Sequence, residues 1–205
     1  MAKVFIRISD MKYNAVISKI KQEGFTMLKR VRRQSGFTLI EVIVVAGIIA
    51  ILAGILVPLI FKEIDESKIS RASADVRSIS VALIVLRKDV GQWPVNTVCQ
   101  PTVTALSGLG TIPTVSGAGW DMSVRDMYEN YLMRDDMGCY PATWKGPYMA
   151  SIGPDPWGRM YLTNANAFLA TTGPVWIISA GPDGVVDTAV ANSTPQNDDI
   201  GMRLR

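Results

Sequence analysis

The most conspicuous pattern along the chain is an apolar segment between Phe37 and Phe61. Its 25 residues include one charged side chain, Glu41. As an α-helix rising about 1.5 Å per residue, the segment is long enough to cross the hydrocarbon core of a bilayer. Apolar residues occupy every face of this helix, which is not typical of a surface helix in a soluble domain. The pattern therefore predicts a membrane-spanning helix.

From Lys62 onward the pattern becomes amphipathic. Neither Gly nor Pro interrupts residues 59–90, and Gly91 followed by Trp93-Pro94 is typical of a helix end. The sequence predicts one long helix over residues 38–89. Apolar residues recur along its second half at alternating spacings of three and four, which places them on one face: Ile69, Ala72, Val76, Ile79, Leu83, Leu86 and Val90.

The rest of the chain predicts an irregular region followed by short strands. Residues 91–157 are rich in Gly, Pro, Ser and Thr and indicate loops, with one short helix over 124–133. β-branched and aromatic residues predict strands over 159–162 and 175–178. Gly181-Pro182-Asp183-Gly184 is a strong turn signal, and residues 185–205 are polar, acidic and aperiodic.

These elements predict an α+β fold. The second half of the long helix packs on a small antiparallel β-sheet, and the C-terminal loop is irregular. We expect one helix face to contact the strands and the turn before them. The expected contacts join Ile69, Val76, Ile79, Leu83 and Leu86 to Trp157, Tyr161, Val175 and Ile177.

Charge is unevenly distributed along the chain. Residues 1–36 contain nine of the 21 basic residues and two of the 18 acidic residues, which leaves 12 basic and 16 acidic residues in the remainder. An acidic domain is poorly suited to nucleic acid, because phosphate binding depends mainly on Lys and Arg. Four basic residues at 29, 30, 32 and 33 precede the apolar segment, and the positive-inside bias assigns that side to the cytoplasm.

The residue inventory argues against an enzyme. The chain has no His, no Ser or Cys nucleophile motif and no glycine-rich phosphate loop, although acidic residues near its end could imitate the metal site of a hydrolase. Its two cysteines, Cys99 and Cys139, are not spaced like metal ligands. Export would allow a disulfide between them, and two free thiols are the alternative.

The order of basic leader, Gly36 and apolar helix differs from a secretory signal, whose small-residue cleavage site follows a shorter apolar core. The run Gly36-Phe37-Thr38-Leu39-Ile40-Glu41 resembles the type IV pilin and type II secretion pseudopilin superfamily. The resemblance implies that a prepilin peptidase cleaves after Gly36 and that the new amine of Phe37 is methylated. It divides the chain into a leader (1–36), a transmembrane and assembly half-helix (37–61), an amphipathic half-helix (62–90) and a periplasmic region (91–205). The leader could start at Met1, Met11 or Met27.

Glu41 is expected to set the register of assembly. A lone carboxylate in a bilayer is costly and needs a partner charge. The resemblance implies that this partner is the Phe37 amine of a neighbouring subunit. The alternative is that Glu41 lies near the interface and reaches the headgroups.

Motifs in the second half of the chain resemble the G-type major pseudopilin of type II secretion. They are Gly146-Pro147-Tyr148, Asp155-Pro156-Trp157-Gly158, residues 179–184 and residues 197–201. The resemblance implies an inner-membrane subunit that joins a periplasmic filament driving protein export. Its implied partners are further copies, minor pseudopilins, the inner-membrane assembly platform and prepilin peptidase. A type IV pilus subunit is the alternative, and Trp93-Pro94 and the long segment 95–145 depart from the family pattern.

The same resemblance implies a structural calcium ion at the C-terminal loop. It assigns as ligands the side chains of Asp183, Asp198 and Asp199 and the carbonyl groups of Ala180 and of a residue near Gln196, with Asp187 close by. Calcium prefers six to eight hard oxygen ligands of this mixed type. The alternative is an acidic, solvated tail in which Asp183 only shapes a turn.

Overall fold

The computed structural model describes residues 36–136, 138–140, 142–170 and 173–205. Its main element is helix α1, Leu39–Val90, whose 52 residues match the predicted helix to within one residue at each end. Thr38 caps its start, because its side-chain oxygen accepts a hydrogen bond from the Glu41 N–H at 3.3 Å. Gly91 ends it with φ +81° and donates its N–H to the Arg87 carbonyl.

The chain divides into two compact units, residues 1–55 and 56–205. In the first unit the described residues run from Gly36 to Ile55, and all of their side chains are exposed. By length and composition α1 can cross a membrane: its most apolar 18-residue window has a mean hydropathy of 3.0. Helical backbone groups are satisfied internally, so such a segment needs only an apolar environment for its side chains.

The second unit contains a five-stranded sheet. Its strands are β1 (Ala105–Ser107), β3 (Arg125–Met127), β4 (Leu162–Thr163), β5 (Trp176–Ser179) and β7 (Ile200–Arg203), in the order β3-β1-β4-β5-β7. Every neighbouring pair is antiparallel except β1 and β3. The α+β class is confirmed, and the sheet differs from the expected one in this parallel edge pair. Residues 108–124 form a crossover between β1 and β3, which a parallel pair requires.

Two further elements surround the sheet. Strands β2 (Thr114–Val115) and β6 (Val185–Val186) form a separate parallel pair. The segment predicted as a helix over 124–133 is instead β3 followed by the one-turn helix α2, Glu129–Leu132. The prediction was wrong for its first half because β3 pairs with β1, a partner twenty residues away that local periodicity does not reveal.

The core of the second unit lies between α1 and the sheet. Most expected contacts are present, in one buried cluster that contains Val76, Ile79, Leu83, Leu86, Tyr161, Val175 and Ile177. Two of the residues expected in this contact lie outside the cluster. Ile69 is 44% exposed, because the buried face of α1 begins at Ala72. Trp157 is half-buried and lies outside the cluster, in a turn before β4.

A disulfide bond joins Cys99 to Cys139. The Cα atoms are 5.7 Å apart, and the sequence separation is 40 residues. Cys99 is 2% exposed and belongs to the core cluster. The bond ties the segment that follows α1 to the segment that follows α2.

Candidate functional site

The peptide bond between Gly36 and Phe37 lies just before α1. Both residues are exposed, and nothing lies within 4 Å of the position that a Gly36 Cβ would occupy. Cleavage here would leave the helix whole, since α1 begins at Leu39. The rest of the predicted leader, residues 1–35, lies outside the described residues.

Glu41 lies one helical turn beyond Phe37. The two residues line one shallow groove together with Val42, Val45 and Ile49. In the part of the chain that the structure describes, no cation lies within 4.0 Å of the Glu41 carboxylate. A charged donor from outside these residues would therefore meet an unpaired carboxylate on an apolar helix.

The C-terminal loop is built around two contacting segments. At the turn, the Gly184 N–H donates to the Ala180 carbonyl at 3.2 Å. Gly181 has φ +60°, and a Cβ at this position would lie 2.2 Å from the Asp198 carbonyl oxygen. The Asp183 N–H donates to Asp198 Oδ2 at 3.0 Å. Only glycine at 181 allows the turn to pack this closely on residue 198.

This packing brings Asp183, Asp187 and Asp198 together. One carboxylate oxygen from each lies within 4.8 Å of the other two. Hydrogen bonds from Ser116 and Asn197 hold the pKa of Asp187 below its ordinary value, so this carboxylate is ionised near neutral pH. Three carboxylates at this spacing repel one another unless a cation is present.

Asp199 occupies a different position from the other three. It is 7% exposed, and its Oδ2 accepts hydrogen bonds from the Asp187 N–H, the Thr188 N–H and the Thr188 hydroxyl, at 2.7–2.8 Å. Its Oδ1 is buried and has no hydrogen-bond partner within the described residues. Burial raises the pKa of Asp199, against the effect of these hydrogen bonds. The structure thus places Asp187, expected only as a neighbour, in the carboxylate cluster, and Asp199 beside it.

The two expected carbonyl ligands are already engaged once each. Ala180 O accepts from the Gly184 N–H, and Gln196 O accepts from the Asp199 N–H at 3.1 Å. Each carbonyl keeps a second lone pair. The available ligand atoms are all hard oxygens, and the carboxylate of Asp199, next to Asp198 in sequence, has a buried oxygen with no hydrogen-bond partner among the described residues. This donor set fits calcium better than a transition metal that prefers nitrogen or sulfur.

The sequence did not indicate the role of Asp155, which joins the turn before β4 to the end of β5. Its side chain is 3% exposed. Oδ1 accepts from the N–H groups of Trp157 (3.0 Å) and Arg159 (2.8 Å), and Oδ2 accepts from the Ser179 hydroxyl at 2.6 Å. An Asp two residues before a backbone donor is a known turn former, and that was the available signal.

Comparisons with known proteins match both regions. A model of the prokaryotic N-terminal methylation motif matches residues 31–57, and a model of type II secretion system protein G matches residues 129–200. Type II secretion system core protein G of Pseudomonas aeruginosa is 31% identical over 75% of this chain and 87% of its own length. The chain belongs to the type II secretion system protein G family.

Two further core G proteins are similarly related. Those of Pectobacterium carotovorum and Aeromonas hydrophila are each 30% identical, over 82% and 83% of this chain and 84% and 92% of their own lengths. No solved structure matches the chain significantly. The resemblance to the major pseudopilin is confirmed, and the chain is a structural subunit of the type II secretion pseudopilus. The type IV pilus alternative is not favoured. The matched segments contain Gly36, Phe37 and Glu41 in the first and the acidic loop in the second.

Proposed function

We propose that this pseudopilin is made as a precursor, cut between Gly36 and Phe37 by prepilin peptidase, and methylated on the Phe37 amine. Helix α1 then holds it in the inner membrane with residues 91–205 in the periplasm. The observation that carries this proposal is an exposed Gly-Phe bond directly before a 52-residue helix whose first half is apolar on all faces. The match to the methylation motif over residues 31–57 supports it.

In this proposal, assembly is driven by the exposed apolar half of α1 and aligned by Glu41. Copies of the chain bury these side chains against one another as they leave the bilayer. The Glu41 carboxylate of one copy pairs with the Phe37 amine of the next, because neither charge is stable alone in an apolar surrounding. Minor pseudopilins and the inner-membrane assembly platform are the proposed further partners.

The role we assign is structural rather than catalytic. The buried carboxylates hold turns and strands together through backbone N–H groups and hydroxyls. The chain contains no His to serve as a general base near neutral pH. We therefore assign these carboxylates a role in folding or assembly.

The first experiment measures the intact mass and N-terminal sequence of the protein taken from its native membrane. We expect a chain that starts at Phe37 and is one methyl group heavier than the unmodified residues 37–205. A Gly36→Ala variant, matched in every other residue, should retain its leader. Wild-type protein that keeps residues 1–36 would contradict the processing proposal.

We also propose that the C-terminal loop binds a structural calcium ion. Asp183, Asp187 and Asp198 would supply carboxylate oxygens, and Asp199 Oδ1 and the carbonyls of Ala180 and Gln196 are further donors for the shell. The ion would remove the repulsion among the clustered carboxylates and tie residues 195–199 to the turn at Asp183.

Chelation separates this proposal from a solvated acidic tail. Removing calcium with EGTA should lower the melting temperature of wild-type protein, and adding calcium should restore it. Asp183→Asn and Asp198→Asn should abolish the calcium response. Asp136→Asn, a change of the same charge outside the loop, should keep it. A wild-type melting temperature that is insensitive to calcium would contradict the proposed calcium site.

A further inference from the structure

Arg159 is fixed at its backbone from two sides. Its N–H donates to Asp155 Oδ1 and its carbonyl accepts from the Asp155 N–H, both at 2.8 Å. It also forms an isolated parallel bridge with Thr111, in which the Met160 N–H donates to the Thr111 carbonyl at 3.0 Å. The origin of its side chain is therefore set by backbone contacts with residues 111 and 155, which lie outside the acidic loop.

The guanidinium group of Arg159 reaches the turn that carries Asp183. Its Nη1 donates to the carbonyls of Gly181 at 2.7 Å and Pro182 at 3.3 Å. The group lies against Gly184, where a Cβ would come within 2.1 Å of the guanidinium carbon. With the described carboxylates it makes no ion pair within 4.0 Å. The cation thus binds the backbone of the turn and forms no salt bridge with the acidic cluster.

We propose that Arg159 is a positioning residue for calcium, because its guanidinium holds the turn at residues 181–184 in the binding conformation before the ion arrives. This inference rests on the calcium site proposed above. Without an ion, repulsion among Asp183, Asp187 and Asp198 favours opening of the loop. Charge-assisted hydrogen bonds to two consecutive carbonyls oppose that opening. When the loop is already ordered, less of the free energy of calcium binding is lost in ordering it.

The sign of the effect separates this role from simple electrostatics. The guanidinium carries the same sign of charge as calcium, so its removal by itself should tighten calcium binding. Loss of positioning should weaken it. A neutral variant therefore shifts the affinity in opposite directions under the two accounts.

The test is a calcium titration by isothermal calorimetry on the full chain in detergent micelles, with far-UV circular dichroism to verify folding. We compare wild type, Arg159→Gln, Arg159→Lys and the control Arg77→Gln, which removes an exposed arginine of α1. Losing a hydrogen-bonded charged donor predicts calcium affinity about tenfold weaker or more for Arg159→Gln. Arg159→Lys keeps the charge but loses the planar fork, so it should be weaker than wild type by several-fold. The control should match wild type.

Amide hydrogen exchange in calcium-free buffer reports how well the turn is ordered before calcium binds, which calcium affinity alone does not show. We expect faster exchange at Gly184 and Val185 in Arg159→Gln than in wild type, with unchanged exchange in the core strand β5. Equal or tighter calcium binding by Arg159→Gln would overturn the positioning role and leave the calcium site standing. If Arg159→Gln does not fold, Arg159→Lys decides, and wild-type affinity in that variant overturns the role. Absence of calcium binding in wild type would overturn the site and this inference together.

Discussion

Replacing Asp155 should destabilise the second unit far more than an average substitution. Asp155→Ala removes the acceptor for three donors, the N–H groups of Trp157 and Arg159 and the hydroxyl of Ser179. A buried donor left unsatisfied costs about 1–3 kcal/mol, and release of the buried charge offsets part of the total. We expect Asp155→Ala to lower the free energy of unfolding by about 3–5 kcal/mol, because three donors lose their acceptor at about 1–3 kcal/mol each and the desolvation of the carboxylate no longer has to be met. Asp155→Asn retains one oxygen and the shape, and should lose about 1–2 kcal/mol.

The assay is urea unfolding in detergent, followed by tryptophan fluorescence, with EGTA present so that calcium does not contribute. Asp65→Asn, on the exposed face of α1, is the matched control and should stay within about 0.5 kcal/mol of wild type. In thermal melts the Ala variant should fall by roughly 2–4 °C per kcal/mol. A loss below about 1 kcal/mol for Asp155→Ala would refute the argument, because the three donors would then be satisfied without this carboxylate. Equal losses for Ala and Asn would refute it as well.

Three further predictions test other parts of the molecule. Reducing the Cys99–Cys139 bond, which spans a sequence separation of 40 residues, should lower the free energy of unfolding by up to about 4 kcal/mol, because the unfolded chain gains loop entropy. The double variant Cys99→Ser/Cys139→Ser should unfold at a lower urea concentration than wild type. Equal urea midpoints for the two proteins would contradict this prediction. Burial raises the pKa of Tyr140 to about 12 and also raises the pKa of Tyr128, Tyr131 and Tyr161 above the ordinary value of 10.0. The folded state keeps these phenols neutral, so their contribution to stability is complete below pH 10 and is lost as the pH rises through the folded values. Phenolate absorbance at 295 nm should therefore rise together with loss of circular dichroism, whereas these phenols ionising near pH 10 with the fold intact would count against burial. Glu41→Gln should insert into the membrane like wild type but assemble poorly, while Glu63→Gln assembles normally; wild-type filament yield from Glu41→Gln, measured by shearing and immunoblotting, would remove the register role.

The candidate sites were predictable to different degrees. The bond at Gly36 and the carboxylate of Glu41 could be predicted because the motif that contains them is continuous in sequence. Both are exposed in the structure, the bond just before α1 and the carboxylate within it. Asp183 and Asp198 were expected in the acidic loop, and they lie together. The sequence could not show that Asp187 joins the carboxylate cluster and that Asp199 lies beside it. This difference arises because the N–H groups of residues 187 and 188 donate hydrogen bonds to the Asp199 carboxylate.

The sequence by itself determined the long helix, its apolar first half, the turn at residues 181–184 and the order of basic segment, glycine and apolar helix. These are properties of neighbouring residues: periodicity, apolar length and turn chemistry act over a few positions along the chain. Only the tertiary structure decided the parallel pairing of β1 with β3, the meeting of Cys99 with Cys139, and the contact of Arg159 with the acidic turn. In each case the two partners are more than fifteen residues apart in sequence, and they meet only when the second unit folds. Local preferences carry no information about which distant segment completes such a pair.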